Sequence, residues 1–245
     1  MDITLDELKI IADKKKLNII ILEKDYLITY LLYLIRDIKN IYFKGGTALN
    51  KIFLDHKRLS EDLDFTATED IPKIEDEIKS KLKGTIFNKI THDKKVKDFT
   101  RLVVHYKLFH EEGVIYIDLN RRARIYLQTE EYEIKHFYKD NIPKFKVKTL
   151  SIQELIAEKI TAIVLRYAPR DYYDVYNIIN KKLPVNLNLV KKKFADNHEK
   201  YDINRIFKRG EKIYNKWESD LFPLVSTKPS FKKVIRVLKK IFKYS

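Results

Sequence analysis

The chain predicts an α+β fold, in which a mixed α/β unit over residues 1–148 is followed by a helical unit over residues 149–245. Three observations carry that prediction. Short runs of alternating polarity lie between residues 41 and 120, and helical periodicity takes over after Ser151. Charge is also divided unequally, with 29 basic and 25 acidic side chains in residues 1–148 against 21 and 10 in residues 149–245.

Taken in order, Thr4 and Glu7 have the spacing of a capping box for a first helix, and Asn18 opens a second that runs to about Ile38. Ile41, Tyr42 and Phe43 read as a short buried strand ending at Gly45 and Gly46. TALNKIFL has helical periodicity, EDLDFTA reads as a second strand, and residues 73–83 as a charged surface helix. FTRLVVHYKLF and VIYIDLN, separated by a turn at EEG, read as a strand pair. The segments near Tyr126 and over residues 132–137 fit either class, and NIPKFKVKTL reads as a connection. Ser151 and Glu154 repeat the capping-box spacing and mark the domain boundary. SIQELIAEKITAIVLRY, RDYYDVYNIINK and the basic segments beyond them read as helices.

Composition excludes several functions. With no cysteine, the chain has neither a disulfide framework, a thiolate metal site nor a cysteine nucleophile. Its longest uncharged apolar run, Tyr26 to Ile35, is too short to span a bilayer, so no membrane partner is expected. No basic-then-apolar leader opens the sequence, and the expected compartment is the cytoplasm. A net charge of +15 suits a polyanion such as RNA. The excess lies in Lys191, Lys192, Lys193 and the cluster Lys232, Lys233, Arg236, Lys239, Lys240 and Lys243, with Arg121, Arg122 and Arg124 the next candidates for a nucleic-acid contact.

The chemistry concentrates in FKGGTALNKIFLDHKRLSEDLDF. Gly45 and Gly46 are two of only five glycines, and they open a helical pattern where amide N–H groups and the Thr47 hydroxyl can meet a phosphate; a tight strand-to-helix turn is the plainer alternative. Asp62 and Asp64 share one strand face while Leu63 and Phe65 take the other. Two carboxylates forced together repel unless a cation such as Mg²⁺ joins them, although a solvated edge would also carry them. Asp118 ends an otherwise apolar strand. Beside Asp62 and Asp64 it would complete a triplet able to hold two metal ions for in-line displacement at phosphorus; alone, it would pair with Arg121, Arg122 or Arg124. Lys159 falls within the apolar arc of Ile152, Leu155, Ile156, Ile160 and Ile163, where it must snorkel or meet an anion, and Arg166 lies on the same side seven residues on. Asp171 is expected near the cap of the next helix in a structural role. Asp174, one turn in, is placed to orient Lys159 or touch a nucleotide.

FKGGTALNK followed by RLSEDLDF resembles the AbiEii/AbiGii-type nucleotidyltransferase toxins, a branch of the polymerase-β-like nucleotidyltransferase superfamily that includes the MenT toxins. ILEKDY upstream and ELIAEKITAIVLRYAPRDYYDVY downstream extend the resemblance over roughly residues 20–180. It implies a polymerase-β-like domain with a short mixed sheet, two Mg²⁺ ions, an NTP substrate, transfer of NMP to RNA at a tRNA 3′ end, and a separate antitoxin. It also implies that Gly46 and Thr47 belong to the phosphate motif, Ser60, Asp62 and Asp64 to the metal motif, Lys159 to a third motif and Asp174 to a fourth. Asp118 matches the third acid of the superfamily, and GGT stands where GS is commoner. Two other readings stay open: a non-catalytic RNA-binding or complex-forming protein on this fold, and a transferase acting on a protein hydroxyl.

Overall fold

The computed structural model describes residues 3–87, 89–109 and 112–242. Helix α1 (Leu5–Lys15) starts at the Thr4–Glu7 capping box, and α2 (Ile19–Ile35) is capped by Asn18 and ends three residues before Ile38. Strand β1 (Ile41–Lys44) runs into α3 (Gly45–Ala48), which continues as one π-helical turn over Leu49–Phe53. Then come β2 (Asp62–Ala67), α4 (Ile71–Leu82), β3 (Lys89–Val96), β4 (Phe99–Lys107), β5 (Glu112–Asn120), β6 (Glu130–Glu133) and β7 (Lys146–Thr149). The rest is helical: α5 (Ile152–Leu165), α6 (Pro169–Asn180), α7 (Leu187–Asp196), the short α8 (Gly210–Tyr214) and α9 (Trp217–Leu221), and α10 (Phe231–Phe242).

The sheet is longer than the sequence suggests. Seven strands lie in the order β3-β4-β5-β2-β1-β7-β6, with β2–β5 and β1–β7 parallel and the remaining pairs antiparallel. NIPKFKVKTL is therefore not a mere connection: Val147 and Thr149 alternate with exposed lysines, and Thr149 pairs with Phe43. Glu112 and Gly113, assigned to a turn by sequence, belong to β5, whereas Glu111 lies outside the described residues. β3 has no apolar face to advertise it. It is an exposed lysine-rich edge with an irregularity between His92 and Lys94, a form that discourages pairing with another chain.

Register sorts the sheet into two faces. Phe43, Leu63, Phe65, Ile117, Leu119, Leu102 and Val104 are buried and occupy one face, the one that meets the α2 and α4 layer. Removing that much hydrocarbon from water, at roughly 25 cal/mol per Å², is what fixes the register. The opposite face is then obliged to carry Lys44, Asp62, Asp64, Asp118, Asn120 and Arg101. The segment after β1 is anchored by a second polar contact below it: buried Lys51 donates to Asp25 Oδ1 at 2.7 Å and to Thr29 Oγ1 at 2.9 Å, and Tyr138 donates to the other Asp25 oxygen at 3.0 Å. This accounts for Asp25 in ILEKDY.

Candidate active site

The polar face places Asp64 in direct register with Asp118 across the parallel β2–β5 pair and with Lys44 across β1. Asp62 stands two residues before Asp64 on the same face. Gly45 has a φ of 76°, and a Cβ built on it would meet Asp64 Oδ2 at 2.1 Å, so the absent side chain leaves room for the carboxylate. Thr47 points back rather than outward, its hydroxyl donating to the Asp62 carbonyl at 2.6 Å. Burial and mutual repulsion raise the Asp62 carboxyl above the usual range. Burial raises Asp64 as well; Lys44 opposes that shift and Asp118 adds to it. Neither forms an ion pair among the described residues.

The other acids are all neutralised. Arg101 holds Asp118 in a bidentate pair, Nε to Oδ1 at 2.7 Å and Nη2 to Oδ2 at 2.8 Å, so its partner is none of Arg121, Arg122 and Arg124. Arg121 instead pairs with Asp70 and Asp98, Arg122 donates to the Lys97 carbonyl, and Arg124 faces Asp196. Among the described residues no three acidic or histidine side chains converge as a ready metal cluster, and the Asp118 carboxylate is committed to Arg101. The Asp62 and Asp64 pair still suits a hard dication, which takes two carboxylates and leaves its other positions to water and phosphate.

Behind the acids runs a buried chain of charges. Arg58 grips Asp174 with Nε and Nη2, both at 2.8 Å, and its Nη1 donates to Ser60 Oγ at 3.1 Å. Lys159 lies 2.8 Å from Asp171 and 3.0 Å from Asp174, and Arg166 reaches Asp171 through Nε at 2.5 Å and Nη2 at 2.8 Å. Asn50 ties Asp174 to the Gly46 carbonyl. Burial pushes the Asp171 and Asp174 carboxyls up, but the adjacent cations outweigh it and hold both below the usual range. Lys159, at 3% side-chain exposure, does not snorkel: the anions it meets belong to the protein. The Arg166 side chain is 53% exposed.

Sequence reasoning passed over Arg58, Asn50, Arg101 and Lys44. Arg101 carried a signal, an arginine on the polar side of an alternating strand. Arg58 carried only its place two residues before Ser60. The capping box at Ser151 is half made: Ser151 accepts from the Glu154 amide, but the Glu154 carboxylate turns to the Tyr126 amide and Lys193. Lys193 is therefore buried and neutralised by Glu154 and Glu158, unlike Lys191 and Lys192. Lys44 pairs with Glu158 at 3.5 Å, and beside them opens a cleft of about 910 Å³ rimmed by Asn120, Arg122, Arg124, Lys192 and His198.

Residues 32–237 match the family described as nucleotidyl transferase AbiEii toxin of a type IV toxin–antitoxin system. The chain belongs to the AbiEii nucleotidyltransferase toxins. Membership implies an NTP substrate and an antitoxin partner. Among solved structures it is similar to MenT4, a nucleotidyltransferase toxin from Mycobacterium tuberculosis H37Rv, with TM-score 0.73 and 18% identity over 98% of this chain and 88% of that one. It is also similar to JHP933 from Helicobacter pylori, with TM-score 0.59 and 20% identity over 93% and 92%. At these identities the likeness speaks for the fold. Comparison with curated proteins gave no match. No helix of the described residues is long and apolar enough to cross a membrane.

Proposed function

We propose that this AbiEii nucleotidyltransferase is a cytoplasmic toxin that moves NMP from an NTP to the 3′-hydroxyl of an RNA, with tRNA as the acceptor class. The observation that carries the reading is the Asp62 and Asp64 pair: two desolvated carboxylates without a counter-ion, in a site where every neighbouring acid has one. Asp62 and Asp64 would hold Mg²⁺, with Asp118 joining them once Arg101 lets go; two such ions, when bound, neutralise the triphosphate and acidify the attacking hydroxyl.

The chain's own groups do the remainder. Gly45 and Gly46 bring backbone close to the phosphates, Thr47 and Ser60 brace the loop and strand beneath them, and Arg166 with Lys159 behind it sets positive potential along the bound triphosphate. Asp118 accepts the proton of the acceptor hydroxyl as its oxygen bonds the α-phosphorus. The helical unit that begins at residue 149 would complete the cleft, and the acceptor strand would run along Lys44, Arg122, Arg124 and Lys192, whose charges suit successive phosphates.

Incubation with each α-labelled ribonucleoside triphosphate, Mg²⁺ and total tRNA tests the reading. Label is expected in RNA with wild-type protein and not with Asp62→Asn. Label found only in protein, or none with any of the triphosphates, would overturn it.

A further inference from the structure

Asp171 is buried completely, yet it is an aspartate. A left-handed Tyr167, with φ 53°, followed by Ala168 and Pro169, folds α6 back on the end of α5, and this brings Asp171 against Arg166. What the helix dipole returns to an acid in a first helical turn is far less than what desolvating its charge costs. Buried ion pairs are often no better for stability than apolar residues of the same volume, so stability alone does not account for this carboxylate.

Its geometry does. Arg58 and Lys159 are each 3% exposed and fully engaged with Asp174 and Asp171. Arg166 alone in the chain of charges has an open edge: Asp171 takes its Nε and Nη2, and Nη1 makes no hydrogen bond among the described residues. The Asp64 carboxylate lies within the field of that guanidinium. We infer that Asp171 is a positioning residue, which clamps one edge of the Arg166 guanidinium and so fixes its free, exposed Nη1 end to grip the phosphates of the NTP. The inference rests on the nucleotidyl-transfer reading and deepens it: Arg166 is the nucleotide's cation, and Asp171 acts through it.

A double-mutant cycle on the full chain tests this, with KM for NTP and kcat measured beside the thermal midpoint for wild type, Asp171→Asn, Arg166→Ala and the double variant. A charge-assisted hydrogen bond is worth about 1.5–3 kcal/mol, so each single variant should raise KM about tenfold or more while kcat changes far less. The double variant should have the KM of Arg166→Ala alone, because the guanidinium that Asp171 positions is gone and Lys159 keeps its pair with Asp174. Arg166→Lys keeps the charge and loses the two-point clamp, and it should show the same rise in KM even if Asp171→Asn folds poorly. Multiplying effects in the double variant, a lowered midpoint in Asp171→Asn with KM unchanged, or an Arg166→Lys variant with wild-type KM would each overturn the inference while leaving the transferase reading intact. A wild-type chain that transfers no nucleotide overturns both.

Discussion

The Asp64 carboxylate rests against the α-carbon of Gly45, so closely that a Cβ there would stand 2.1 Å from Oδ2. Gly45→Ala must therefore displace the acid and also strain a backbone held at φ 76°. The expected result is loss of nucleotide transfer together with destabilisation of about 1–3 kcal/mol, read from denaturant midpoints. Gly84 has a similar φ but nothing near its α-carbon, and Gly84→Ala should cost stability without touching transfer.

Asp64→Asn and Asp62→Asn should abolish transfer and raise the thermal midpoint of the metal-free protein at neutral pH. The sign follows from linkage. Both carboxyls have folded-state pKa values above the ordinary 3.8, so the folded protein binds their protons more tightly than the unfolded chain. The stability this confers is present at low pH and is lost as pH rises through the raised values. The gain from either asparagine should thus be largest near neutrality and shrink on acidification, in midpoints measured from pH 4 to pH 8. A wild-type level of transfer in either variant would remove the proposed metal site.

Lys159→Met keeps the stem and deletes the cation between Asp171 and Asp174. Breaking a buried pair from one side costs about 3–5 kcal/mol, and that loss is expected here with NTP use reduced and RNA binding retained. Arg58→Met should cost about as much by the same mechanism. A Lys159→Met protein with wild-type urea midpoint and wild-type KM would show that the lysine neither braces the site nor serves it.

For the acceptor, reversal at Arg124 and Lys192 is compared with reversal at Lys239 and Lys240 on α10. The first pair borders the cleft beside Lys44, and the second lies on a helix that packs against α6. Reversal in the cleft should raise KM for RNA and flatten the dependence of log Kd on log salt by about 0.7 per lost phosphate contact, with KM for NTP unchanged. The larger effect falling on the α10 pair would move the acceptor to that helix.

Much of this arrangement was legible because it follows from period-two alternation. Asp62 and Asp64 had to share a face once Leu63 and Phe65 were buried, and Lys159 announced itself as a charge inside an apolar arc. What stayed hidden was pairing. Nothing in the local pattern chooses Arg101 over Arg121, Arg122 and Arg124 as the partner of Asp118, since the choice is made by the β4–β5 register. β3 and β7 escaped notice, and β6 was met only in part by the ambiguous segment over residues 132–137, for a related reason: edge strands and four-residue strands carry little of the apolar signal that marks a buried one.

Arg58 and Asp174 meet across 116 residues of sequence. During synthesis at about 5–20 residues per second, the strand bearing Asp62 and Asp64 leaves the ribosome on the order of ten seconds before α6 can reach it. Over that interval the nascent protein has Asp62 and Asp64 without Lys159 and Arg166. A chain cut off before α5 should therefore carry the aspartates without the cations proposed to complete the site, and no nucleotide transfer is expected of it.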